Sequence, residues 1–221
     1  MVAKISNPPW VSFQSAPTDV GLAAASGEYI VVLNNDTVVT AGWIKGLIRH
    51  LRDNKDVGII GPITNNIGNE AKVSTRYSQI EDMHAESSEI TRSRMGGGRN
   101  QYAGIFCVVF LRSTYEQIGG LCGEYGLGFF EDDDYCRRVQ QNGMRAACAE
   151  DVFVHHHLSA SFNKLGAEKK QALFEKNKAI YESKGERGLH TPIETYKQHI
   201  LPLRPKLTSC AAEIIFCTET A

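Results

Sequence analysis

The sequence has no surplus of charge of either sign. Its 24 Lys+Arg stand against 25 Asp+Glu, a formal net charge of −1. That balance removes the global basic field with which proteins hold nucleic acid or acidic membranes. Long apolar runs are missing too. The longest, Ile105 to Leu111, falls far short of the roughly 20 residues that span a bilayer. No basic start followed by an apolar run opens the chain, so no secretory leader is visible. The six cysteines (Cys107, Cys122, Cys136, Cys148, Cys210 and Cys217) are scattered, and none shares C-x-x-C spacing with another. That excludes the usual zinc and redox patterns. Together these absences predict a cytoplasmic protein with reduced thiols, at most peripheral at the inner membrane face, and without a nucleic-acid partner.

What is present reads as one domain: 221 residues, 42% of them hydrophobic, suffice for a single well-filled core. Residues 1–20, with Pro8, Pro9 and Pro17, read as a loop-like lead-in. Tyr29 to Leu33 is a continuous β-branched run, the pattern of a strand buried on both faces. Thr40 reads as the N-cap of a helix with Trp43, Ile44, Leu47, Ile48 and Leu51 on one face. Val57 to Ile60 is a second strand, closed by Gly61-Pro62. Strand, helix, strand is a βαβ unit, so the fold class is α/β. Residues 64–101 are polar and include Gly96-Gly97-Gly98. They read as a long mobile insert, with a short helix conceivable over Gln79–Arg92. A buried strand over Ile105–Leu111 follows, then a short helix opened by Ser113 and Glu116 and stopped by Gly119-Gly120. Tyr135 to Gln141 reads as a helix, Met144–Cys148 and Val152–His157 as two short strands, and 164–184 as a helix burying Leu173, Phe174, Ile180 and Tyr181. Residues 187–221 read as a tail of uncertain order.

Three polar clusters stand at the ends of these elements. Asn34-Asn35-Asp36 follows the first strand directly, where open α/β sheets keep their ligand crevice. Asp36 offers a hard oxygen to Mg²⁺ or Mn²⁺, although Asn and Asp also favour plain turns. Glu131-Asp132-Asp133-Asp134 opens a helix. One or two carboxylates gain from the helix dipole, but four in succession repel one another unless a cation or proton relieves them. One of them can act as a general base. His155-His156-His157 ends a strand, and strand alternation sends His156 to one face and its neighbours to the other. Neutral imidazole is a good ligand for Mn²⁺ or Zn²⁺. Together the clusters describe a divalent-metal site handling an anionic substrate.

The run Gly27-Glu28-Tyr29-Ile30-Val31-Val32-Leu33-Asn34-Asn35-Asp36-Thr37 resembles the metal-binding strand of family 2 glycosyltransferases, which have the GT-A fold. Gly119-Gly120-Leu121 followed by Gly128-Phe129-Phe130-Glu131-Asp132-Asp133-Asp134 and Arg138 is similar to the family's second signature, and Val154 to His157 with Ser161-Phe162 to its strand-end histidine. The likeness runs from about Gly21 to Lys184 and is nearest to a rhamnosyltransferase-like branch.

The resemblance implies a GT-A-type, Rossmann-like mixed sheet, mainly parallel and flanked by helices, over residues 1–186. It implies a metal-dependent, inverting transfer of sugar from a nucleotide-diphosphate sugar to a saccharide, lipid-linked or protein acceptor, as in polysaccharide biosynthesis. Asn34, Asn35 and Asp36 would face the donor. Asp36 with His156, or His155 next, would hold Mn²⁺ or Mg²⁺. Asp132 matches the family's base, with Glu131 its closest rival, and Asp134 would orient the acceptor or the helix. The family's earlier nucleoside-binding strands have no counterpart in Met1 to Val20. The domain is therefore expected to be N-terminally truncated, with an open strand edge suited to self-association or to a partner supplying strands. Two other readings stand beside transfer: a non-catalytic remnant that keeps the fold and at most weak metal binding, and a metal-dependent phosphate-ester hydrolase.

Overall fold

The computed structural model describes residues 2–3, 15–100, 103–126, 128–157, 166–187 and 212–217. Among the described residues, eight strands form a mixed sheet. They are β1 (Val2–Ala3), β2 (Tyr29–Asn34), β3 (Thr37–Val39), β4 (Val57–Ile63), β5 (Gly98–Asn100), β6 (Cys107–Leu111), β7 (Arg145–His156) and β8 (Ala212–Cys217). Their order is β1-β8-β2-β6-β4-β7-β3, with β5 also on β7. The helices are α1 (Ser15–Ala24), α2 (Trp43–Asp53), α3 (Met83–Arg92), α4 (Arg112–Ile118), α5 (Glu131–Gln141) and α6 (Ala167–Arg187).

The α/β class stands, but the mainly parallel sheet does not. Three pairings are parallel (β1·β8, β2·β8, β4·β7) and four antiparallel (β2·β6, β4·β6, β3·β7, β5·β7). The βαβ unit exists, yet β6 lies between its two strands and runs against both. A buried antiparallel strand carries the same unbroken apolar run as a parallel one, so composition cannot tell them apart. Because β2, β4, β7 and β8 share one direction, their carboxyl ends meet along a single edge.

Two apolar clusters face each other through the sheet. Ile30, Val32, Ile59 and Val108 join Tyr115, Ile118, Tyr135, Cys136 and Val139 on the side of α4 and α5. Val31, Leu33, Ile60 and Val109 join Trp43, Leu47 and Leu51 of α2 on the other. Each such side chain contributes roughly 1.5–3 kcal/mol on full burial, which holds the helices in their layers. α2 presents the predicted face, but Thr40 does not cap it. Gly42, at φ 78°, precedes the helix, and the Thr40 hydroxyl donates to the Phe153 carbonyl at 2.6 Å.

Several further expectations change. The two short strand pieces are one strand, β7. Within residues 64–101, Ala71, Val73 and Met83 are buried against Ile63, Cys148 and Phe153, so the segment taken as a long mobile insert carries α3 and a core of its own. On α6, Phe174 is 36% exposed while Asn177 is fully buried. Within the supposed tail, β8 forms a parallel ladder with β2 from Tyr29↔Ala212 to Asn34↔Cys217, so the β2 edge expected to be open is covered. Cys107, Cys122, Cys136 and Cys148 are buried free thiols; Ser161-Phe162 and Cys210 lie outside the described residues.

Candidate active site at the carboxyl edge of the sheet

The turn after β2 places Asp36 opposite the last residues of β7, because β3 pairs with β7 in the register Thr37↔His156. The His157 N–H donates to the Asp36 carbonyl at 2.9 Å. Asp36 Oδ1 then sits 3.3 Å from His156 Nε2 and has no hydrogen bond among the described residues. Burial works to raise the Asp36 pKa, but the adjacent His156, with help from His157, outweighs it and holds the carboxyl below its ordinary value. Asn34 lies on the α5 face by strand alternation with Ile30 and Val32, and Asn35 is exposed in the turn.

Residues outside the expected set orient His156. Its ring stacks on Phe106, centroids 4.7 Å apart. Asn65 clamps its backbone, accepting from the His156 N–H at 2.9 Å and donating to its carbonyl at 3.2 Å. The Asn66 carbonyl lies 3.0 Å from Nδ1. A carbonyl can only accept, so Nδ1 carries a proton; Nε2 faces Asp36, donating to the carboxylate when the ring is protonated and offering a lone pair to a cation when it is neutral. Carbonyl anchoring of the distal nitrogen is what metal-ligating histidines ordinarily show. The Asn65-Asn66 step after Pro62 was a faint signal, legible only as a turn.

Asp36 and His156 fit a hard divalent cation. Two cis ligands at about 2.1 Å on an octahedral ion lie about 3 Å apart, and Mg²⁺ keeps water or substrate oxygens on its other positions. No group of three or more His, Cys, Asp and Glu side chains converges among the described residues, so the chain would supply a partial shell. His155 is not in it. It points to the other face, with Tyr77 Oη 2.6 Å from its Nδ1 and burial lowering its pKa, aided by His157 and His156.

The acidic turn reaches the same edge. Val139, late in α5, packs over Gly58 at the start of β4. Cys136, one turn earlier, meets the Ala103 carbonyl at 3.5 Å, and Ala103 lies beside Gly61 farther along β4. The helix thus runs against β4 and aims its N-terminus at the carboxyl edge. Burial and the neighbouring carboxylates push Glu131 up to about 7 and Asp132 to about 6. Glu131 Oε2 is buried with no hydrogen bond among the described residues. Asp134 is different. It accepts from Arg138 Nε at 2.9 Å and from the Tyr125 hydroxyl at 3.1 Å while only 2% exposed. Of the two roles the resemblance implies for Asp134, these contacts fit orientation of the helix: one helical step past Asp133 turns it inward, against Arg138 and Tyr125.

The turn before α5 is strained. Phe129 and Phe130 take φ of 66° and 74°, a region costing about 1–3 kcal/mol for each such residue. Asn177 supports it by donating its amide to the carbonyls of Tyr125 (2.6 Å), Gly128 (2.5 Å) and Phe129 (3.3 Å). Phe130 packs against Phe174 and Tyr181 of α6. The Gly119-Gly120 step has its own reason. Gly119 ends α4 at φ 85°, and a Cβ on Gly120 would come within 2.2 Å of an Asp19 carboxylate oxygen. Asp19 accepts from the Leu121 N–H at 2.8 Å, and burial raises its pKa to about 7. A cavity of about 530 Å³ beside α2 and α3, lined by Lys45, Arg49, His84 and Asp151, includes none of the expected site residues.

A mixed α/β sheet whose polar loops gather at the carboxyl ends of its strands is the architecture of ligand-binding α/β proteins. Residues 14–119 match the family model described as Glycosyl transferase family 2. That span holds Asp36 and the Gly119 helix stop, while the acidic turn and the histidines lie beyond it. No curated protein matches the chain.

Proposed function

We propose that the chain is a family 2 glycosyltransferase domain that moves a sugar from a nucleotide-diphosphate sugar to an acceptor hydroxyl with inversion. The observation that carries this reading is Asp36 Oδ1 facing His156 Nε2 at 3.3 Å, within a sheet edge whose first strand lies in the segment similar to that family. Asp36 and His156 would hold Mn²⁺ or Mg²⁺, which when bound supplies Lewis-acid stabilisation to a departing diphosphate. Asp132 removes the acceptor proton. Its pKa near 6 leaves it ionised yet basic at neutral pH, the balance general base catalysis needs. Glu131, half-buried and held near 7, is the rival base. Asp134 and Arg138 keep the N-terminus of α5 in place.

The test is release of nucleoside diphosphate from UDP-, dTDP- and GDP-sugars by the full chain, with saccharide, lipid-linked and peptide acceptors. Expected is turnover with manganese or magnesium that chelation abolishes. Absence of both turnover and donor binding by calorimetry, with or without manganese, overturns the reading in favour of a non-catalytic remnant. Phosphate release from simple esters without an acceptor would make the chain a hydrolase.

A further inference from the structure

The three consecutive histidines divide between two faces of β7, and the pair turned away from Asp36 has a geometry of its own. His155 Nε2 and His157 Nδ1 lie 3.3 Å apart. Two nitrogens bound to one tetrahedral Zn²⁺ at the usual Zn–N distance are about 3.4 Å apart. The rings meet edge to face with centroids 4.5 Å apart, which sets the two nitrogens side by side. His155 is buried and His157 exposed, which gives the nitrogen pair one rigid member and an open approach from solvent.

His155 is also anchored on its far side. Tyr77 Oη lies 2.6 Å from Nδ1, and the Tyr77 ring packs against the imidazole at 5.6 Å. With Nδ1–H donating to the Tyr77 oxygen, that partner fixes the ring and leaves Nε2 with its lone pair and raised basicity, as outer-shell groups do at metal centres. We propose that His155 and His157 form a second metal site, a two-histidine chelate for a borderline transition ion of the Zn²⁺, Ni²⁺ or Cu²⁺ class, completed by water. Two imidazoles select that class, whereas the carboxylate of Asp36 favours harder Mg²⁺ or Mn²⁺. The two sites are separate in chemistry but joined by backbone, since the His157 N–H is bonded to the Asp36 carbonyl. An ion on His155 and His157 therefore stiffens the turn that carries Asp36.

The test is calorimetric titration of the full chain with Zn²⁺, without nucleotide or acceptor, so its outcome is independent of sugar transfer. His156→Ala removes the Asp36 site from the measurement, and Asp36→Ala does so from the other side should His156→Ala fail to fold. Expected is one Zn²⁺ bound in either background. Adding His157→Ala, an exposed change that leaves the core intact, should weaken that binding about tenfold or more, and Tyr77→Phe about tenfold. The proposal is overturned if neither background binds Zn²⁺, or if His157→Ala leaves the affinity unchanged.

Discussion

The sheet edge carries acids in two neighbourhoods that push them in opposite directions. Asp36 sits beside the His156 imidazole, which outweighs burial and holds its carboxyl below its ordinary value. Glu131 and Asp132 sit under burial beside other carboxylates and are raised to about 7 and about 6. The side chains are nearly identical, so their roles come from their neighbours. A carboxylate that stays ionised suits cation binding, while one poised near neutrality can take and return a proton. The support differs as well. Asp36 is positioned by strand register and a few turn bonds. The acidic turn needs a strained Phe129-Phe130 step, the Asn177 amide and the buried Asp134–Arg138 pair.

The widest separation between the two regions should appear in turnover. Asp132→Asn is expected to lower kcat for sugar transfer about 10²–10⁴-fold without loss of manganese affinity by calorimetry. A loss of that size on Glu131→Gln, with Asp132→Asn active, would exchange the two roles. Stability should separate them next. Arg138→Ala strands the Asp134 carboxylate and the Ile118 and Gly120 carbonyls that the guanidinium now serves. Urea unfolding should show a loss of about 3–5 kcal/mol, whereas Asp36→Ala should cost far less. An equal cost for both would mean that the acidic turn is no more strongly braced than the strand end.

The smallest effect is in pH. Carboxyls with raised folded-state pKa values contribute stability below their unfolded values, and that contribution disappears as pH rises through the folded ones. For Glu131 and Asp132 the loss falls between about pH 4 and 7, and buried Asp19, raised to about 7, adds to it. Asp36, shifted down, acts only below the ordinary carboxylate range. The melting temperature is therefore expected to fall by a few degrees from pH 5 to 8, and Glu131→Gln should flatten the slope. A slope unchanged in Glu131→Gln would show that Glu131 is not the group responsible.

Much of this arrangement could be read along the chain. The Tyr29–Leu33 strand, the α2 face and the split of the histidine triplet follow from periodicities of two and 3.6 residues, which backbone geometry imposes locally. Asp36 stood out because it closes a buried strand. What escaped notice depends on partners distant in sequence. Asp134 looked like a fourth acid until Arg138 and Tyr125 enclosed it. Asn177 looked like an ordinary polar helix residue, yet its amide holds a turn about fifty positions earlier. Asp19 gave no signal alone, and its carboxylate occupies the space that a Cβ on Gly120 would need.

Local sequence was enough to determine β2, β4, β6, α2 and the polar residues that end the main elements, since those depend on side-chain spacing against a repeating backbone, whereas α1, β3, β5 and β8 carry no such spacing signal. Pairing was decided only by the assembled sheet. The reversal of β6 between β2 and β4, the closure of the β2 edge by β8 and the choice of His156 over His155 for Asp36 all follow from strand register. Register is a contest among distant segments for the same buried hydrogen bonds, and no stretch of chain holds that information by itself.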